Sequence, residues 1–259
     1  MIEPERQAAL DAIGAEVAAC TRCPLHQTRT RAVPGEGTAA TEVIFVGEGP
    51  GFNEDRQGRP FVGQAGALLG ELLESVGWSR EEVFITNVVK CRPPENRDPE
   101  PAEIAACAPF LARQLAALDP ALVVTLGRFS MARFNPGARI GQVHGTFAEA
   151  NPESGAPNAL TYAMYHPAAA LHQGSLKATL LRDMKGAPAA LLEARRRRAA
   201  GLEALVEALE LDEPERGPRA ERGSEPGRRP DRQGDAFAGS LRSVGPVAES
   251  NLTDQLTLF

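Results

Sequence analysis

Glu42-Val43-Ile44-Phe45-Val46-Gly47-Glu48-Gly49-Pro50-Gly51 passes from a β-branched apolar run straight into a glycine-rich segment. The run is short and bounded by turn residues, which reads as a buried strand. Its continuation, Phe52-Asn53-Glu54-Asp55-Arg56-Gln57-Gly58-Arg59-Pro60-Phe61-Val62-Gly63, reads as a loop at the carboxyl end of that strand, ahead of a helical pattern near Ala65. Ligands in open α/β sheets bind at such ends. Ordinary strand-to-helix connections take about 2 to 6 residues. A longer one, stiffened by Pro50 and Pro60 and freed at its glycines for close backbone approach, marks a functional loop.

The same alternation continues outward. Residues 83–89 and 121–126 are further apolar runs, and 142–149 and 160–165 fit two more strands around a Pro/Gly/Asn-rich turn. Helical spacing is present over residues 5–19, over 68–76 up to Gly77, over 102–118, and from Leu176 with a break at Gly186 and Pro188. Strands separated by helices predict a three-layer α/β/α sandwich around a central, mostly parallel four-stranded sheet. The expected domain occupies residues 1–198. Residues 199–250 are rich in Pro, Gly, Arg and Glu and read as a charged linker, with residues 251–259 as a terminal peptide.

The chain has 259 residues, 42% of them hydrophobic, and a formal charge of -6. It lacks an apolar run long enough for a membrane span, and its acidic start differs from a secretory leader, so a cytoplasmic protein is expected. The negative charge argues against indiscriminate nucleic-acid binding but leaves room for a local basic face. All four cysteines, Cys20, Cys23, Cys91 and Cys107, fall in the core region. In a cytosolic chain they favour a metal centre over disulfides. Only one C-x-x-C pair is present, which places zinc behind an iron–sulfur cluster, with unligated core thiols as the remaining reading.

Gly47-Glu48-Gly49-Pro50-Gly51, Glu54 to Gly63, Thr86-Asn87-Val88-Val89-Lys90-Cys91-Arg92-Pro93-Pro94, Asn96-Arg97-Asp98-Pro99 and His166-Pro167-Ala168-Ala169 together resemble the family 4 uracil-DNA glycosylases. The resemblance covers residues 18–192 in consistent order. It implies a monofunctional DNA repair enzyme that hydrolyses the N-glycosidic bond of uracil flipped out of DNA. It also implies a [4Fe–4S] cluster on Cys20, Cys23, Cys91 and Cys107.

The implied roles agree with the residue chemistry. Phe61 offers a flat ring for stacking on a pyrimidine. Asn87 has an amide donor and acceptor suited to uracil O4 and N3–H, and mismatched to cytosine. His166 is placed to donate to uracil O2 as charge builds on the leaving base. Glu48 either acts on the attacking water and the cationic sugar or holds the loop through backbone N–H groups. Gly49 and Gly51 replace an aspartate and a tyrosine found in better-known relatives, so backbone and shape are expected to carry much of the work there. Leu171 or Leu176 is the expected wedge for the gap left by the flipped base. Lys90, Arg92, Arg97 and Lys177 are candidate phosphate contacts.

The final residues, Gln255-Leu256-Thr257-Leu258-Phe259, resemble the peptide by which bacterial repair proteins bind the sliding clamp. A monomer tethered to the clamp is the expected assembly. The competing reading is a non-catalytic metal-cluster module that binds nucleic acid and is recruited by the clamp.

Overall fold

The computed structural model describes residues 2–211. The start of the expected linker, residues 199–211, is instead helical as the end of the last helix, because its Leu and Ala residues keep a helical period; residues 212–250 and the clamp-like peptide lie outside the described residues. Helix α1 (Glu3–Ala19) buries Leu10, Ile13 and Val17, the stripe its sequence spacing predicts. Strand β1 (Glu36–Gly37) precedes β2 (Val43–Gly47), and α2 (Phe52–Gln57) and α3 (Gln64–Glu74) follow. Then come β3 (Phe84–Asn87), α4 (Pro101–Leu118), β4 (Leu122–Leu126), α5 (Arg128–Phe134) and α6 (Ile140–Val143). The order finishes with β5 (Phe147–Glu149), β6 (Leu160–Met164), α7 (Pro167–His172), α8 (Ser175–Met184) and α9 (Ala187–Leu211).

The sheet order is β1-β3-β2-β4-β6-β5. Strands β3, β2, β4 and β6 are parallel, whereas β1 and β5 pair antiparallel at the two edges. The α/β/α class and its four parallel strands agree with expectation, but the sheet has six strands rather than four. The added β1 is two residues long and has no alternation to detect. The stretch 142–149 divides, with its start helical and only Phe147–Glu149 extended; that edge strand is exposed throughout.

Side chains alternate across the sheet. Phe45, Ile85, Leu122 and Val124 face one core layer with Leu69, Leu72, Leu73, Leu180 and Met184. Ile44, Val46, Phe84 and Val123 face the other with Ile13, Val17, Leu111 and Leu115. Burial on both faces explains why these strands read as continuous apolar runs. The loop expected from Gly47 to Gly63 contains a helix, α2, which buries only Asp55. The Asp55 carboxylate accepts from the Thr30 backbone N–H, and Gly58 ends the helix at φ 72°. No helix among the described residues is long and apolar enough to cross a membrane.

Candidate active site

Three of the parallel strands deliver a lining residue at or just past their carboxyl ends: Glu48 follows β2, Asn87 ends β3 and His166 follows β6. Gly127, after β4, lies against His166, whose Cβ a Cβ there would approach to 3.0 Å. The switch in strand order around β2 opens a crevice where such sheets bind ligands. Glu48, Gly49, Gly51, Phe61, Asn87 and His166 line one pocket of about 270 Å³, joined by Glu54, Pro93, Asn96 and Arg97. A larger cavity of about 640 Å³ lies near the opposite strand ends. Its arginines, Arg197 and Arg198, are already paired with Glu149, Glu193 and Asp119.

Phe61 is held in an unusual way. Its φ is 51°, a left-handed value that bulky residues rarely adopt. Arg80 donates to the carbonyls of Phe61 at 3.0 Å and Pro60 at 2.8 Å while pairing with Glu36 at 2.6 Å. Gly66 permits the arrangement, because a Cβ there would stand 1.9 Å from the Phe61 carbonyl oxygen. The loop's other clamp is Glu54, whose Oε1 accepts from the backbone N–H groups of Val62 and Gly63, both at 2.8 Å. Loop holding, one of the two roles considered for Glu48, is thus performed by Glu54. Burial, followed by the charge of Asp98, raises the Glu48 carboxyl above the usual range, and Arg128 partly offsets this.

The Phe61 ring stacks on His166 with centroids 5.6 Å apart and planes inclined by 29°. The Ala168 backbone N–H donates to His166 Nδ1 at 3.1 Å. That bond assigns the ring proton of neutral imidazole to Nε2. Burial lowers the His166 pKa to about 4, so the ring is neutral at physiological pH, although Glu54 opposes the shift. Asn87 is 1% exposed, and its Oδ1 is buried without a hydrogen-bond partner. Gly47 lies beneath both side chains: a Cβ there would come 2.4 Å from Asn87 Oδ1 and 2.6 Å from Phe61 Cζ. A Cβ at Gly49 would meet the Val89 methyl at 2.8 Å, which accounts for the missing side chain.

None of the four cysteines is in a disulfide, and all line a small pocket between the end of α1 and α4, with Arg29 and Lys90. Arg29 donates to Cys91 Sγ at 3.0 Å, and the Lys90 backbone N–H donates to Cys107 Sγ at 3.2 Å. Burial pushes the Cys107 thiol up to about 11 and also raises that of Cys91. No three His, Cys, Asp or Glu side chains among the described residues close around a single ion. A four-iron cubane holds its thiolates farther apart than one ion does, and four convergent cysteines with N–H donors on sulfur fit that larger group.

The residues carrying the resemblance therefore share a pocket, and comparison with known proteins gives the same grouping. The Uracil DNA glycosylase superfamily pattern matches residues 34–185. A type-4 uracil-DNA glycosylase of Saccharolobus solfataricus is 47% identical over 188 residues, covering 70% of this chain and 86% of the relative. The chain belongs to the type-4 uracil-DNA glycosylase family. Family members from Sulfurisphaera tokodaii and Archaeoglobus fulgidus are each 46% identical, covering 68% of this chain and 82% and 90% of themselves.

Seen as a type-4 family site, the pocket also corrects one expectation. Lys90 cannot meet a phosphate, because it is 1% exposed. Its Nζ donates to Thr86 Oγ1 at 2.5 Å, the Asn87 carbonyl at 2.8 Å and Gln114 Oε1 at 2.7 Å. It thereby ties Asn87 to helix α4, while its backbone meets Cys107. Arg97 pairs with Glu103 and Lys177 with Glu71, and Arg92 donates to Asn96. Of the two wedge candidates, Leu171 is exposed and Leu176 packs on the core. Sequence reading missed Glu54 and Arg80, which act on backbone groups of other residues and leave no spacing signal.

Proposed function

We propose that this chain removes uracil from DNA by hydrolysing its N-glycosidic bond, leaving free uracil and an abasic site. The observation carrying this reading is the buried, unpartnered Asn87 Oδ1 in a pocket that also presents Phe61 and His166. A buried acceptor without a partner costs free energy unless a ligand supplies the donor. Uracil N3–H is such a donor, and the Asn87 amide N–H pairs with O4. Cytosine presents an unprotonated N3 and an amine in their place, so both contacts are lost.

Catalysis then depends on charge. Departure of the base as an anion places negative charge on O2, where neutral His166 donates from Nε2 without needing to be protonated. The deoxyribosyl centre becomes cationic at C1′, and an ionised Glu48 stabilises it while orienting the water that attacks. Phe61 fixes the plane of the base by stacking. Cys20, Cys23, Cys91 and Cys107 would hold a [4Fe–4S] cluster, whose contribution when bound is to staple α1 to α4.

The test is a DNA oligonucleotide with one uracil. Alkali-sensitive cleavage by wild type, lost in Asn87→Ala and His166→Ala, is the expected result. No cleavage by wild type would favour the non-catalytic binding module. Iron rather than zinc in purified protein, with visible iron–sulfur absorbance lost in Cys91→Ser, tests the cluster. Within the same proposal, the protein works as a cytoplasmic monomer whose residues 255–259 dock on the sliding clamp and raise its effective concentration at replicated DNA. Unchanged clamp binding after deletion of those residues would refute the docking.

A further inference from the structure

Phe52 is a large hydrophobic residue left 51% exposed at the pocket rim. It directly follows Gly51 and stands two residues before Glu54, both of which line the pocket. Two cations lie near its ring: the Arg56 guanidinium carbon is 5.6 Å from the ring centroid and that of Arg92 is 5.3 Å away. Arg92 is oriented by its 2.7 Å bond to Asn96 Oδ1, and Asn96 also lines the pocket. Neither arginine has a carboxylate partner among the described ion pairs, unlike Arg59, Arg80, Arg97 and Arg128.

An exposed aromatic face has no use in the core it does not touch. Base stacking on aromatic side chains, with cations alongside for the backbone, is the general chemistry by which single-stranded nucleic acid is held. We propose that Phe52, Arg56 and Arg92 form a second subsite for one nucleotide adjacent to the target, with its base stacked on Phe52 and its phosphate between the guanidinium groups. This rests on the reading of the neighbouring pocket as the uracil site. The subsite would place the strand so that the flipped base enters past Gly51, and would locally offset the chain's negative charge.

The experiment uses full-length protein and single-uracil DNA strands that are intact, or that lack the base immediately 5′ or immediately 3′ of the uracil. With intact strands, Phe52→Ala is expected to raise KM about tenfold, outweighing any change in kcat, and Phe52→Trp to restore it. With one of the two base-deleted strands, wild type should bind as weakly as the variant, and the substitution should cost nothing further. An unchanged KM in Phe52→Ala, or the same penalty on all three strands, would overturn the subsite. Fluorescence anisotropy with the same strands gives the same comparison without turnover. If wild type binds but releases no uracil, the proposed activity fails while the stacking subsite is still decided.

Discussion

The imidazole of His166 stacks against the Phe61 ring at 5.6 Å while its Nδ1 is occupied by the Ala168 N–H. Its single remaining nitrogen therefore faces the pocket as a donor, and burial keeps the ring neutral down to about pH 4. The ordinary value is 6.5. The unfolded chain thus takes up a proton between those limits that the folded chain refuses. Stability contributed by the neutral ring is complete above pH 6.5 and declines as pH falls through this window. Denaturant unfolding across it should show a flatter pH dependence in His166→Gln than in wild type, by up to about one proton.

Activity should respond to a different group. The Glu48 carboxyl titrates above its usual range because it is buried near Asp98. If its ionised form steadies the cationic sugar, the single-turnover rate falls as pH drops through that raised pKa. Glu48→Gln should lower the plateau about tenfold to a hundredfold and remove this acid limb. An unaltered limb in the variant would assign it to another group.

Asn87→Ala should separate activity from stability. Removing an unpaired buried acceptor relieves a penalty of about 1–3 kcal/mol, which offsets the small cavity created. The expected outcome is a melting temperature at or above that of wild type, with kcat/KM on uracil DNA reduced at least about a hundredfold. Free uracil should raise the melting temperature of wild type but not of the variant.

Arg80 and Lys90 test how far the site depends on distant supports. Arg80→Ala frees the carbonyls of Pro60 and Phe61 that hold the left-handed backbone. Kinetic loss is expected mainly in kcat, and Arg80→Lys should restore little because one ammonium cannot span the Glu36 carboxylate and both carbonyls. Lys90→Met strands the Asn87 carbonyl and the Gln114 amide oxygen in the core. A destabilisation of about 2–4 kcal/mol is expected by denaturant titration.

The parallel strands were legible in sequence because burial on both faces leaves unbroken apolar runs such as Val43–Val46 and Ala121–Val124. Edge strand β5 fell within the stretch 142–149 read as a strand, though only its last three residues are extended, whereas β1 was not legible, since two part-exposed residues carry no period. Helix α2 escaped because Phe52 to Gln57 is polar after its first residue and packs through one carboxylate. Phe61, Asn87 and His166 were named by the motifs that carry the family resemblance, and the three line one pocket. Lys90 was misplaced because a lysine reads as surface unless its acceptors are known, and those come from residues 86, 87 and 114.

The left-handed backbone at Phe61 has a consequence for how the pocket can be altered. The direction of the side chain is fixed by Arg80, Gly66 and the Glu54 clamp, all of which grip main-chain atoms. Exchange of the side chain alone would leave its mounting in place, so ring size and polarity become adjustable without rebuilding the loop. The shape of the pocket is then open to retuning by single exchanges at position 61, as with a tool bit changed in a fixed chuck.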